Sequence, residues 1–176
     1  DSATITFLKN LFRVLKPEDE GSEQEKDIWE LERLGINVRF NEVKSFNTLN
    51  FTKIYQPDIR EEMKKAIYFQ LKAESVSTVV REMTAMRRLS KFLKSKHPDI
   101  ESCADITRKV MEEYLIYLKT EDTSTKHFHS ELNRLRSVLE VLGNIYQYPQ
   151  LASLILTRDI PPTPKAEFKV YSDGEL

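Results

Sequence analysis

His127 and His129 are the only closely spaced imidazoles among the chain's three histidines, and a metal site is the first chemistry they suggest. Zinc and related ions need side chains that converge, whereas residues two apart on a helix point about 200° apart around its axis. A regular helix through both residues cannot chelate one ion, so no metal is expected. Cys103 is the sole cysteine, which removes thiolate-rich zinc sites and any internal disulfide. The four glycines do not cluster, so there is no phosphate-cradling loop and nucleotide hydrolysis has no support. Glu112 and Glu113 are neighbours beside an apolar helical stripe, the pattern of a solvated face rather than of an acid–base pair. Seven tyrosines and several serines occur without a recognisable activating motif. Neither a catalytic residue nor a cofactor is implied.

The basic and small polar residues say more. Arg81, Thr84, Arg88 and Lys91 recur at helical spacing, opposite a stripe of Val79, Met83, Met86 and Leu93. Lys126, Ser130, Asn133 and Ser137 recur in the same way, with His129 and Arg134 on the flanks. Lysine and arginine suit phosphates, while serine, asparagine and arginine also reach base edges in a major groove. Two readings stay open on this pattern: a DNA-contacting face, or the charged exterior of a helical protein-interaction module. A helix-turn-helix reader fits less well, because "TEDTS" and the long helices around it do not match a short turn and recognition helix.

Net charge is −1 and the pI is about 6.4, which argues against a uniformly basic nucleic-acid binder. The distribution is uneven, however. Acids outnumber bases between Lys16 and Glu32, whereas from Arg81 to Lys96 the bases Arg81, Arg87, Arg88, Lys91, Lys94 and Lys96 face the single acid Glu82. A local basic surface on a neutral molecule is consistent with that asymmetry.

These faces need elements to hold them. At 176 residues and 40% apolar content, the chain can bury one core plus a small appendage. No apolar run approaches the roughly 20 residues of a membrane span, and the start "DSATITFLKNLFRVLK" lacks a secretory signal, so a cytoplasmic protein with no membrane partner is expected. Phe7, Leu8, Leu11, Phe12 and Leu15 form a short amphipathic start, and "KPEDEGSEQEK" reads as a loop. "DIWELERLG" predicts a short helix ended by Gly35, and "INVRFNE" with "LNFTKI" predicts a small β-hairpin.

Four helices follow from the apolar spacing. The first has Asp58 as its cap and buries Ile59, Met63, Ala66, Ile67 and Leu71. The second starts at Ser77, buries Val79, Met83, Met86, Leu89 and Leu93, and stops before Pro98. Asp105 caps the third, whose apolar face runs from Ile106 to Leu118. The fourth aligns Phe128, Leu132, Leu135, Leu139 and Leu142, with Gly143 near its end. "LASLILT" closes the bundle before the prolines of "IPPTP". The expected fold class is mainly α: a four- to five-helix bundle with a small N-terminal α+β appendage. Its expected divisions are an appendage of residues 1–56, a helical domain of 57–157, and a linker with the start of a following domain in 158–176.

"SVSTVVREMTAMRRLSKFLKS", "DITRKVMEEYLIYLK", "TSTKHFHSELNRLRSVLEVL" and "IPPTPKAEFKVYSDGEL" follow one another in an order that resembles the core-binding, SAM-like region of tyrosine recombinases, the phage-integrase-like enzymes. The likeness covers roughly Pro57 to Leu176, and "DIWELERLGI" with "FTKIYQPDIREEMKKAI" resembles the N-terminal regions of transposon-encoded members. The resemblance implies a DNA-binding fragment of a site-specific recombinase, with strand cleavage and rejoining assigned to an absent catalytic domain. Double-stranded DNA is then the partner, together with other recombinase protomers in the synaptic complex of the full-length protein. "VYSDGEL" would open the catalytic domain after a linker from Arg158 to Lys169, so Tyr171 is not the nucleophile. DNA-facing positions carry over onto Thr78, Arg81, Thr84 and Arg88, and onto Lys126, Ser130, Asn133 and Arg134. Lys91 and His129 join them from the helical spacing. The overall acidity and the apolar Val80 depart from the family's pattern.

Overall fold

The computed structural model describes residues 22–39, 46–120 and 128–162. The amphipathic start, Lys126, His127, Tyr171 and most of the linker lie outside the described residues. Among the described residues the fold is mainly α, with four helices: α1 (Pro57–Gln70), α2 (Val76–Lys96), α3 (Arg108–Thr120) and α4 (Phe128–Tyr146). A small antiparallel pair, β1 (Ile28–Glu30) and β2 (Thr48–Asn50), precedes them.

The hairpin is present, but its first strand is not the expected one. "DIWELERLG" does not form a helix: Ile28–Glu30 is β1, and Leu31–Arg33 follows as one 3₁₀ turn. Trp29 stands opposite Leu49 in the ladder and both are buried, while Ile28 on the other face is about half exposed. Strand alternation sends this indole inward, where it lies 4.7 Å from the Phe51 ring and edge-on to Tyr68. The indole N–H donates to the Gln24 carbonyl at 3.2 Å. Gly35 ends the turn at φ +66°, a left-handed conformation that costs glycine little. Arg39, from "INVRFNE", makes a parallel bridge to Ser75 instead of pairing with "LNFTKI".

Helix starts differ from the sequence expectations by one or two residues. Pro57 occupies the first turn of α1 and Gln56 is its cap, so Asp58 sits inside the helix, where its charge suits the N-terminal dipole. Ser75, not Ser77, caps α2 by accepting the Thr78 N–H at 3.4 Å. Ser102, not Asp105, is the cap: it starts a separate 3₁₀ turn in which the Asp105 carboxylate accepts the Ser102 N–H at 3.1 Å, and α3 begins three residues after Asp105 at Arg108. Gly143 lies near the end of α4, as expected. The helix runs on to Tyr146, Gln147 takes φ +58°, and the Tyr148 N–H returns to the Gly143 carbonyl at 2.9 Å. A Cβ on Gly143 would meet the Tyr148 carbonyl oxygen at 3.0 Å, so any side chain there would require the returning backbone to shift by a few tenths of an ångström.

One core cluster extends from Trp29 through Ile59, Met83, Tyr114 and Leu135 to Ile155. "LASLILT" closes it as expected, with Leu151, Leu154 and Ile155 buried. Glu62, buried on α1, accepts the Ser102 hydroxyl and the Cys103 N–H, both at 2.8 Å, and so fixes the turn ahead of α3. Arg108 holds Asp159 and the Leu154 carbonyl, tying the segment after α4 back to the start of α3.

Candidate nucleic-acid interface

Helices α2 and α4 form the seam that positions most of the polar residues singled out in the sequence. Two side-chain links join them. Ser137 donates to the Glu82 carboxylate at 2.9 Å, and Arg88 pairs with Glu131. Partner numbers fall along α4 as they rise along α2, so the helices are antiparallel. The seam places the single acid of the basic α2 stretch inside the protein: Glu82 is 1% exposed. Burial pushes its carboxyl above the ordinary carboxylate range, against the opposing pull of the Ser137 hydrogen bond and the Arg134 charge.

The remaining candidates distribute as follows. Arg81 and Lys91 are exposed on α2 and make no ion pair among the described residues. Thr84 is also exposed, but its hydroxyl donates back to the Val80 carbonyl at 2.8 Å, leaving it an acceptor toward solvent. Thr78 is half-buried in the first turn, with its hydroxyl 3.2 Å from the Ser75 cap. Arg88 is half-buried, and its guanidinium is engaged by Glu131, so it braces the seam. On α4, Ser130 and Asn133 are exposed, and the Asn133 amide donates to the His129 carbonyl at 2.9 Å. His129 and Arg134 are half-buried, with the Arg134 charge acting on Glu82. Lys126 lies outside the described residues. Val80 is partly covered and packs on the core, which accounts for an apolar residue beside the polar stripe.

Ser137 is a correction to the sequence reading, which placed it on the outward stripe. It faces Glu82 because helix packing carries its position into the seam. The signal was available in part: Glu82 falls between Val79 and Met86 on the apolar side of the period, where an acid must find a partner. Glu131, by contrast, meets an arginine 43 residues away, a separation that local periodicity does not reveal.

A second group of polar contacts, missed by the sequence reading, fixes the segment between β2 and α1 against α2. Ser90 is fully buried, accepts the Tyr55 N–H at 2.8 Å and donates to the Gln56 amide oxygen at 2.6 Å. The Arg87 guanidinium donates to the Asn50 carbonyl. Tyr55 emerges 42% exposed, with the Lys94 ammonium 4.1 Å above its ring.

Among the described residues no cluster of His, Cys, Asp and Glu is arranged to hold a metal, and no helix is long and apolar enough to cross a membrane. A family model described as phage integrase SAM-like domain matches residues 50–141, just over half of the 176-residue chain. No curated protein and no solved structure matches.

Proposed function

Because the chain belongs to the phage integrase SAM-like domain family, we propose that its α2 and α4 faces grip duplex DNA at a recombination site, in a tyrosine recombinase whose strand chemistry resides in a separate catalytic domain. The observation that carries this reading is the inward burial of Glu82. With that acid withdrawn and Arg88 neutralised by Glu131, Arg81 and Lys91 give the outward side of α2 an excess of positive charge, which suits phosphates. Across the seam, Ser130 and Asn133 offer the short polar groups that reach sugar, phosphate or base edges. Thr78, Arg88, His129 and Arg134 orient these groups more than they contact DNA, and Lys126, outside the described residues, belongs to the proposal as a further phosphate contact. Residues 57–157 act as the gripping domain, 1–56 as an appendage and 158–176 as the linker and the start of the catalytic domain; paired protomers in a synaptic complex and residence in the cytoplasm belong to the same proposal.

A salt series tests it. Fluorescence anisotropy of a labelled mixed-sequence duplex is expected to give log affinity that falls steeply with log salt, by about 0.9 for each phosphate contact. Arg81→Glu with Lys91→Glu should weaken binding and flatten the slope while leaving the thermal midpoint unchanged. Affinity indifferent to salt and to this double change would overturn the proposal. It would favour the protein-interaction reading, which Phe69 and Ile116 support by being 60% and 61% exposed.

A further inference from the structure

We infer that the segment joining β2 to α1 is a second backbone-contacting element, in which Tyr55, Lys94 and Lys53 bind phosphates of the same duplex strand region that α2 approaches. The inference rests on the DNA-gripping reading and adds to it a site outside the α2–α4 seam.

Its support begins with how the segment is held. Tyr55 N–H to Ser90 Oγ, Gln56 to both the hydroxyl and the carbonyl of Ser90, and Arg87 to the Asn50 carbonyl fix the main chain from three directions. Ser90 and Gln56 are buried, so these bonds form away from competing water and hold the backbone rigidly. A rigid mount leaves Tyr55 partly exposed, with the Lys94 ammonium over its ring. Neither the ring nor the ammonium is used to close the core.

Charge gives the partner. Residues 48–57 contain Lys53 and no acid, and the only acid of α2 is the buried Glu82. Arg87, Lys91 and Lys94 recur along α2 at steps of four and three, which lines them up on the side that meets this segment. Lys53 is exposed two residues before Tyr55. Two ammonium groups and one phenolic O–H, presented by a fixed main chain with no carboxylate in either segment facing outward, match phosphate oxygens. An acidic protein would also meet the charge, but the continuity of Lys94 with Lys91 along one helix joins this patch to the surface already assigned to DNA.

Slope and affinity separate the components. In the anisotropy salt series with the full chain, Lys53→Gln with Lys94→Gln should lower the salt slope by about 1.8, the release of two phosphate contacts. Tyr55→Phe keeps the ring beneath Lys94 but loses the O–H, so it should weaken binding several-fold with an unchanged slope. All three positions are exposed, and unchanged thermal midpoints would show the variants are folded. If the lysine pair leaves the slope at its wild-type value while Arg81→Gln lowers it, the second contact is overturned and the seam survives. If the wild-type protein shows no salt-dependent duplex binding, the DNA reading fails and this inference fails with it.

Discussion

The hairpin's attachment to α1 and the seam between α2 and α4 use the same ingredients, carboxylates set against arginine and lysine, to different ends. At the hairpin, Asp27 is shared by Arg60 at 2.7 Å and Lys64 at 2.9 Å, while Lys26 pairs with Glu23 and Arg33 with Glu30. Charge there is balanced locally, and the two Asp27 pairs fasten the hairpin segment to α1. At the seam, one acid is buried and another is taken up by Arg88, so the outward bases are in excess. Balanced charge holds elements together; unbalanced charge is available to a partner. The two sites also titrate in opposite directions. Burial opposes ionisation of Asp27, but Lys64 and Arg60 outweigh it and hold the carboxyl below its ordinary range, whereas burial prevails at Glu82.

Core truncations should have the largest effects on both regions. Trp29→Ala should cost about 3–5 kcal/mol and detach the hairpin, read as a lower urea midpoint. A loss near zero would show that the hairpin contributes little to the core. Leu135→Ala removes a 1%-exposed side chain from α4 and should cost ~2–5 kcal/mol, weakening duplex binding only in proportion to unfolding. Selective loss of binding in a fully folded Leu135→Ala protein would contradict its placement in the core.

Smaller effects separate the regions by pH. At Glu82 the folded value is raised, so its contribution is fully present below the ordinary value of 4.5 and is lost as pH rises through the folded one. Glu82→Gln keeps an acceptor for Ser137, and its stability relative to wild type should climb with pH; parallel pH profiles for the two proteins would contradict the burial argument. Asp27 has the opposite sign: its contribution is present above 3.8 and is lost as pH falls through the lowered folded value. Asp27→Asn should therefore be least stable relative to wild type at neutral pH and converge with it in acid. The expected loss is the smallest of the four, on the order of 1 kcal/mol, because Asp27 is partly exposed. A gap that persists in acid would mean that packing, not charge, links Asp27 to α1.

The helices were legible because their apolar spacing is a local property: Ile59, Met63 and Ile67, or Leu132, Leu135 and Leu139, announce one buried face before any partner is known. Trp29 was misread because "DIWELERLG" has both helical composition and a two-residue alternation, and only pairing with Leu49 decides between them. Caps moved because Gln56 and Ser75 lie two residues ahead of Asp58 and Ser77, while Thr107 lies two residues after Asp105, and the winner depends on where the preceding turn delivers the chain. The candidate site was legible as a set of outward positions on α2. Its braces were not, since Arg88 with Glu131 and Tyr55 with Lys94 join residues far apart in sequence.

Cys103 is fully buried, and its backbone N–H is gripped by the Glu62 carboxylate. Burial, reinforced by that carboxylate, raises its pKa well above the ordinary value and keeps the sulfur a thiol. As the chain's sole cysteine, it is a built-in clock for opening of the α1–α3 junction, since a thiol reagent can modify it only when that turn swings away. The labelling rate, followed as duplex is added, would tell whether a partner docked on α2 and α4 slows the breathing of the turn that Glu62 of α1 holds.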